Sequence, residues 1–116
     1  MQLNTIPKTI ATSLMLASSA QATYEIACFQ DRDCTVPVTG SGKTQVLSGT
    51  CDANVKGGYS SIKVLHKWNS PAGTLTFYET GSCFSGFGKR KISFGDPSIG
   101  ACHDFGWVAN SVYLFG

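Results

Sequence analysis

From residue 24 onward this chain is written twice, and a duplicated unit is the feature that most narrows what it can fold into. Glu25-Ile26-Ala27-Cys28-Phe29 lies over Thr74-Leu75-Thr76-Phe77-Tyr78 at an offset of 49, and the same register sets Cys34 over Cys83. Cys51 falls on Cys102 at 51, and Tyr59-Ser60-Ser61-Ile62-Lys63-Val64-Leu65 falls on Ala109-Asn110-Ser111-Val112-Tyr113-Leu114-Phe115 at 50. The two units are residues 24–66 and 74–116, joined by residues 67–73, where Asn69, Ser70, Pro71 and Gly73 spell a turn. Short β-branched and aromatic runs such as 60–65, 74–78, 91–94 and 111–115 are punctuated by thirteen glycines and four prolines. The expected fold class is all-β, two units making one compact antiparallel β-sandwich.

The first 22 residues differ in kind: Lys8 is their only charge, residues 10–20 are apolar or small, and Ala20-Gln21-Ala22 has the small-x-small form of a signal peptidase site. About eleven diluted apolar residues fall short of the roughly twenty that a membrane span needs. We therefore expect a signal peptide over 1–22, cleavage after Ala22, and a secreted, extracellular product over 23–116.

The 94 residues left after removing 22 of 116 form a marginal core without help. Help is visible in five cysteines, Cys28, Cys34, Cys51, Cys83 and Cys102, all beyond the cleavage point, in a chain bound for an oxidising compartment. A duplicated framework pairs equivalent positions equivalently, which Cys34 with Cys51 and Cys83 with Cys102 would satisfy. Pairing Cys34 with Cys83 and Cys51 with Cys102 is the alternative, at the cost of longer loops. Cys28, whose counterpart is Phe77, is the odd thiol, read as a buried replacement for an apolar side chain in a monomer; a Cys28-linked dimer is the other possibility.

The product carries eight Lys and Arg against seven Asp and Glu, a balance that points to no nucleic-acid partner. No Asn-x-Ser/Thr sequon occurs at Asn4, Asn54, Asn69 or Asn110. The one run of like charge, Lys89-Arg90-Lys91, follows Gly86-Phe87-Gly88, and with Phe84, Phe87 and Trp68 it forms the candidate target-binding set. Basic groups beside exposed aromatics suit an acidic surface such as a cell-wall polymer, a membrane surface or a host protein. Thirteen aromatics in 94 residues is a high load; Trp68 and Trp107 either cover the ends of the core or serve recognition. Proton-transfer candidates are His66, His103, Glu25, Glu79 and Asp104, with Arg90 as a basic helper. No spacing argues that they converge, so no catalytic site is expected. Neither CxxC nor HxxxH occurs, so no metal and no cofactor is expected either.

Each unit resembles a Greek key motif of the βγ-crystallin superfamily. The resemblance rests on an aromatic hairpin (Phe77-Tyr78-Glu79, then Phe84-Ser85-Gly86), a cysteine-bearing connection and a closing strand (Ser60-Ser61-Ile62-Lys63-Val64; Asn110-Ser111-Val112). The first unit keeps Phe29 but has Pro37 where the hairpin glycine would stand. The resemblance implies two four-stranded antiparallel sheets packed face to face, each motif lending a strand to the other's sheet. It also implies that Ser61 and Ser111 tie the last strand of each unit to its hairpin. Many relatives bind calcium through an Asn/Asp-Asn/Asp-x-x-Ser/Thr-Ser stretch; here the stretches read Lys56-Gly57-Gly58-Tyr59-Ser60-Ser61 and Gly106-Trp107-Val108-Ala109-Asn110-Ser111, so no calcium is expected. Microbial relatives without calcium include killer-toxin-like and antifungal proteins and a metalloproteinase inhibitor. The functional expectation is a small secreted, non-enzymatic toxin-like, antimicrobial or host-directed effector protein. An inhibitor of an extracellular hydrolase is the alternative, and a small nuclease the third reading.

Overall fold

The computed structural model describes residues 21–69 and 72–116; residues 1–20, which carry most of the expected export signal, and Ser70 and Pro71 of the expected linker lie outside the described residues. Eight strands follow in order: β1 (Thr23–Phe29), β2 (Lys43–Leu47), β3 (Cys51–Asp52), β4 (Tyr59–Trp68), β5 (Thr74–Tyr78), β6 (Lys91–Gly95), β7 (Cys102–Ala109) and β8 (Ser111–Phe115). A 3-10 turn at Thr39–Ser41 is the only helical element among the described residues. β4 runs further than the sequence reading allowed: Lys67 and Trp68 pair with Tyr24 and Thr23 of β1, so they are strand rather than linker. The aliphatic stem of Lys67 brings its ammonium to 5.4 Å from the Tyr24 ring, which keeps a charged residue compatible with the strand.

The strands form two four-stranded antiparallel sheets, ordered β2-β1-β4-β7 and β3-β8-β5-β6. Each sheet takes three strands from one unit and the third strand of the other, so β3 and β7 have changed places. The crossings are guided alike: Gly49 N–H donates to Leu114 O at 3.1 Å on the way into β3, and Gly100 N–H to Val64 O at 2.9 Å on the way into β7.

That exchange overturns the expected disulfide pairing. The bonds are Cys34–Cys102 and Cys51–Cys83, with Cys28 free and buried. The pairing still obeys the repeat, because the 34-to-83 and 51-to-102 correspondence maps one bond onto the other. Both expected sets fail, Cys34–Cys51 with Cys83–Cys102 and the alternative Cys34–Cys83 with Cys51–Cys102, because a third pairing is equally symmetric and is the one the strand exchange brings together. Cys51 and Cys102 open the exchanged strands, so each sits beside the hairpin loop of the unit that receives it. Each bond therefore staples a lent strand to its host sheet. Arg32 and Asp104, 3.1 Å apart on the surface, add an ion pair between the first loop and β7.

One core lies between the sheets, built from Tyr24, Ile26, Val46, Ile62 and Val64 on one side and Leu75, Phe77, Val112 and Leu114 on the other, each at most 1% exposed. Burial of such side chains contributes about 1.5 to 3 kcal/mol apiece. The repeat is kept in kind but not in size. Unit one places small Cys28 with large Tyr59, and unit two places large Phe77 with small Ala109 at the equivalent positions. Tyr59 and Phe77 meet edge to face at 6.1 Å, so one ring from each unit fills the shared space.

Ser61 and Ser111 are both fully buried, and each hydroxyl donates to a carbonyl of its own hairpin loop: Asp31 O at 2.6 Å and Thr80 O at 2.7 Å. The neighbouring half-cystines repeat the geometry as well, with Cys34 Sγ 3.4 Å from Ile62 O and Cys83 Sγ 3.4 Å from Val112 O. These paired contacts fix both hairpin loops against the closing strands, and so position what the loops carry.

Candidate functional site: the β5–β6 hairpin tip

The β5–β6 hairpin is clamped at its base and open at its tip. Glu79 N–H donates to Arg90 O at 2.9 Å, Arg90 N–H donates to Glu79 Oε1 at 2.9 Å, and Asn110 Nδ2 donates to Glu79 O at 2.8 Å. The Arg90 backbone N–H, with its guanidinium and Lys89 nearby, holds the Glu79 carboxyl below its ordinary range. Further out, Thr80 Oγ1 donates to Phe84 O at 2.7 Å and accepts from Phe84 N at 3.3 Å, and Lys89 N–H closes a turn onto Gly86 O at 3.0 Å.

Beyond those anchors the chain presents Phe84 at 49% and Phe87 at 97% exposure, ring centroids 6.1 Å apart. Gly86 makes room for this pair, since a Cβ there would come within 2.8 Å of the Phe84 ring. Phe87 has φ +54°, a left-handed backbone that costs a bulky L-residue about 1 to 3 kcal/mol. An apolar ring held in water on strained backbone has no folding rationale of its own.

The structure divides the six candidate residues. Phe84, Phe87, Lys89 and Lys91 share the tip and its rim, all exposed. Arg90 is exposed but committed: its guanidinium lies 3.5 Å from Glu79 Oε2 and 5.8 Å from the Trp107 ring centre. Trp68 is elsewhere. Its neighbour Lys67 pairs with Asp96 at 2.9 Å, beside the Thr74–Gly95 end of the β5–β6 ladder, about 14 Å along the strands from the Tyr78–Lys91 end that bears the tip. Trp68 instead stacks on His66 at 5.3 Å, half-exposed. Trp107 packs on Phe105 at 5.6 Å, closing the β7 side of the core.

The proton-transfer candidates do not converge. His66 faces Glu25 at 3.7 Å, whereas His103, opposite Ile62 on β4, turns its ring onto Phe94 at 4.9 Å. His66 and Ile62 are four strand positions apart, about 13 Å. His103 Nε2 is buried without a hydrogen-bond partner among the described residues. No group of three His, Cys, Asp or Glu side chains that could hold a metal ion occurs among the described residues. Cys28 lies wholly inside, and burial, then the Asp52 carboxylate, pushes its thiol far above the ordinary range, so in the folded chain it is out of a second molecule's reach.

Two features escaped the sequence reading. A cleft of about 320 Å³ opens beside the first unit, lined among others by Gln30, Thr39, Lys56, Gly58 and Val108. It takes in residues 56–60, the stretch where the resemblance would put calcium ligands, and Lys56 supplies it with a cation instead. The other is the Asp31 carboxylate, which accepts from Thr35 N, Val36 N and Thr35 Oγ1 and knits the first hairpin loop together. Its bonds reach four and five residues ahead, further than the two of an Asx turn, so no local signal announced it.

Fold and site together define a small two-sheet protein, stapled by crossed disulfides of a kind suited to an extracellular setting, that holds out one basic aromatic hairpin tip. No protein family, curated protein or solved structure matches this chain.

Proposed function

We propose that the protein is exported and acts outside the producing cell as a non-enzymatic toxin-like, antimicrobial or host-directed effector protein, engaging a surface target through Phe84, Phe87, Lys89 and Lys91. The exchange of third strands and the buried Ser61 and Ser111 support reading it as a double Greek key of the βγ-crystallin kind. The observation that carries the binding assignment is Phe87, 97% exposed on left-handed backbone, above a hairpin base that is fully tied down. Strained conformations cluster at functional sites because folding alone would remove them. The tip is convex and lines neither principal cavity, which fits an extended surface better than an enclosed small molecule. Its two uncommitted lysines favour an acidic one.

The test is a growth and viability assay of oxidised protein on yeasts, filamentous fungi, bacteria and plant tissue, comparing wild type with Phe87→Ala and with the Lys89→Ala/Lys91→Ala pair. Both variants should lose activity with the circular dichroism spectrum unchanged; full potency in both would sink the assignment. A second reading draws on the same rigidity: a pinned convex loop can insert into the cleft of an extracellular hydrolase and inhibit it. That reading requires stoichiometric loss of activity in a panel of proteases and glycosidases, relieved by Phe87→Ala.

A further inference from the structure

Three peptide bonds near the start of the chain satisfy the small-x-small rule, those after Ala20-Gln21-Ala22, Ser18-Ser19-Ala20 and Ala17-Ser18-Ser19, and only the first two put alanine immediately before the cut. Sequence alone does not separate those two; the residues that the finished fold is built around do. We infer that the mature protein begins at Gln21, with cleavage after Ala20; this rests on the export reading above.

Ala22 is 6% exposed and belongs to the main core between the sheets. Its carbonyl accepts from Ser48 N–H at 2.9 Å, which extends the β1–β2 ladder one step past the Thr23–Leu47 pair. Gln21 is used at both ends: its carbonyl accepts from Asn69 Nδ2 at 2.9 Å, and its Nε2 donates to Ser48 O at 2.8 Å. The two residues thereby tie the start of β1 to the β2–β3 connection and to the β4–β5 connection. A chain beginning at Thr23 would lose all three bonds and leave a methyl-sized hole. It would also set a new ammonium, a donor, near the Ser48 N–H, another donor. Signal peptidase reads the unfolded chain, so the fold does not choose the bond. It shows which residues the finished product is built around.

An N-terminal glutamine adds a chemical signature. Its α-amine can attack its own side-chain amide carbon, forming the lactam C–N bond and releasing Nε2 as ammonia, with no oxidant or reductant involved. The pyroglutamyl product keeps the Gln21 carbonyl that Asn69 holds, gives up the Nε2 bond to Ser48 O, and carries no terminal charge.

The experiment expresses the whole 116-residue precursor in a secretory yeast and reads the N-terminus and intact mass of the protein in the medium. A start at Gln21, as glutamine or as the form one ammonia lighter, is the expected result. A start at Thr23, or at any other residue, overturns the inference and leaves export standing. Uncleaved precursor kept inside the cells overturns the export reading and this inference with it. Ala22→Val separates the two bonds before folding matters, because it spoils only the site that needs a small residue at 22. Processing should be unchanged; accumulation of uncleaved Ala22→Val precursor alone would overturn the inference.

Discussion

Four residues after its loop cysteine each unit makes a choice, and the two choose oppositely. In unit one the residue is Val38, 5% exposed and part of the core; in unit two it is Phe87, 97% exposed. The frames around them match: both cysteines have positive φ, 58° at Cys34 and 53° at Cys83, and both closing serines bind the loop carbonyl. The difference lies between those anchors. Unit one zips its loop onto β1, with Val38 N–H donating to Cys28 O at 3.1 Å and Cys28 N–H to Gly42 O at 2.8 Å. Gly42 makes the approach possible, because a Cβ there would fall 2.4 Å from the Cys28 carbonyl oxygen. Unit two has no such zip and lets its aromatic stand out. One copy of a duplicated motif completes the core, and the other is free to carry the proposed target-binding surface.

The frame shared by both units is where the largest effects belong. Replacing Cys34 and Cys102 by Ala removes a loop spanning 68 residues, worth about 4.4 kcal/mol in the chain-entropy account, and replacing Cys51 and Cys83 removes one spanning 32, worth about 3.7. Denaturant melts should rank the two pairs in that order, and peptide mapping of the native protein should recover the crossed bonds. A Cys34–Cys51 peptide would break the comparison at its root, since it would mean that β3 and β7 had not changed places.

Next in size is the swap of bulk between units. Tyr59→Ala should cost about 3 kcal/mol by opening a cavity, and Cys28→Phe about 1 to 3 by overpacking. The double variant, which gives unit one the Phe and Ala of unit two, should cost clearly less than the two single losses added. Strict additivity in urea melts would show that Cys28 and Tyr59 do not share space.

How much of this could be read from sequence follows from the range of each interaction. The repeat, the all-β class and the identity of the unpaired cysteine were legible, because each is a local pattern written twice. The pairing of the other four was not: the resemblance implied that each unit lends a strand to the other's sheet, but which cysteines that exchange brings together is a long-range matter that no local spacing records. The tip was legible as Gly86-Phe87-Gly88 before a run of three cations. That Arg90 is committed was not, since Glu79 lies eleven residues back and meets it only across the closed hairpin. Trp68 joined the candidate set because a supposed linker hides the two more strand positions that β4 gains by pairing with β1.

The loops also differ in what an acid solution can do to them. At the position equivalent to Asp31, unit two has Thr80, a cap that does not titrate. Hydrogen bonds from Thr35 and Val36 hold the Asp31 carboxyl down to about 2, against an ordinary 3.8. A depressed carboxyl contributes stability that is present above its unfolded value and lost as pH falls through its folded one. The contribution should therefore fade between about pH 4 and pH 2. Relative to the intrinsic rate, amide exchange at Thr35 and Val36 should accelerate over that window while exchange at Phe84 does not. Asp31→Asn should flatten the first response. Equal acceleration in both loops would mean that acid acts on the whole fold rather than on this cap.

The smallest expected effect bears most directly on why Phe87 is there. At φ +54° the backbone of Phe87 is one that glycine adopts freely, and leaving that region relieves an L-residue of about 1 to 2 kcal/mol. Glycine also gains about 0.5 to 1 kcal/mol of unfolded-state entropy, which offsets part of that relief. The ring buries almost nothing, so its loss removes little packing. Phe87→Gly should therefore leave stability unchanged or raise it by up to about 1.5 kcal/mol, while activity in the growth assay falls. Almost any other aromatic-to-glycine change in this protein would do the reverse. If Phe87→Gly instead destabilises by more than about 1 kcal/mol, the ring serves the fold, and the contrast with Val38 becomes one between two ways of closing a loop.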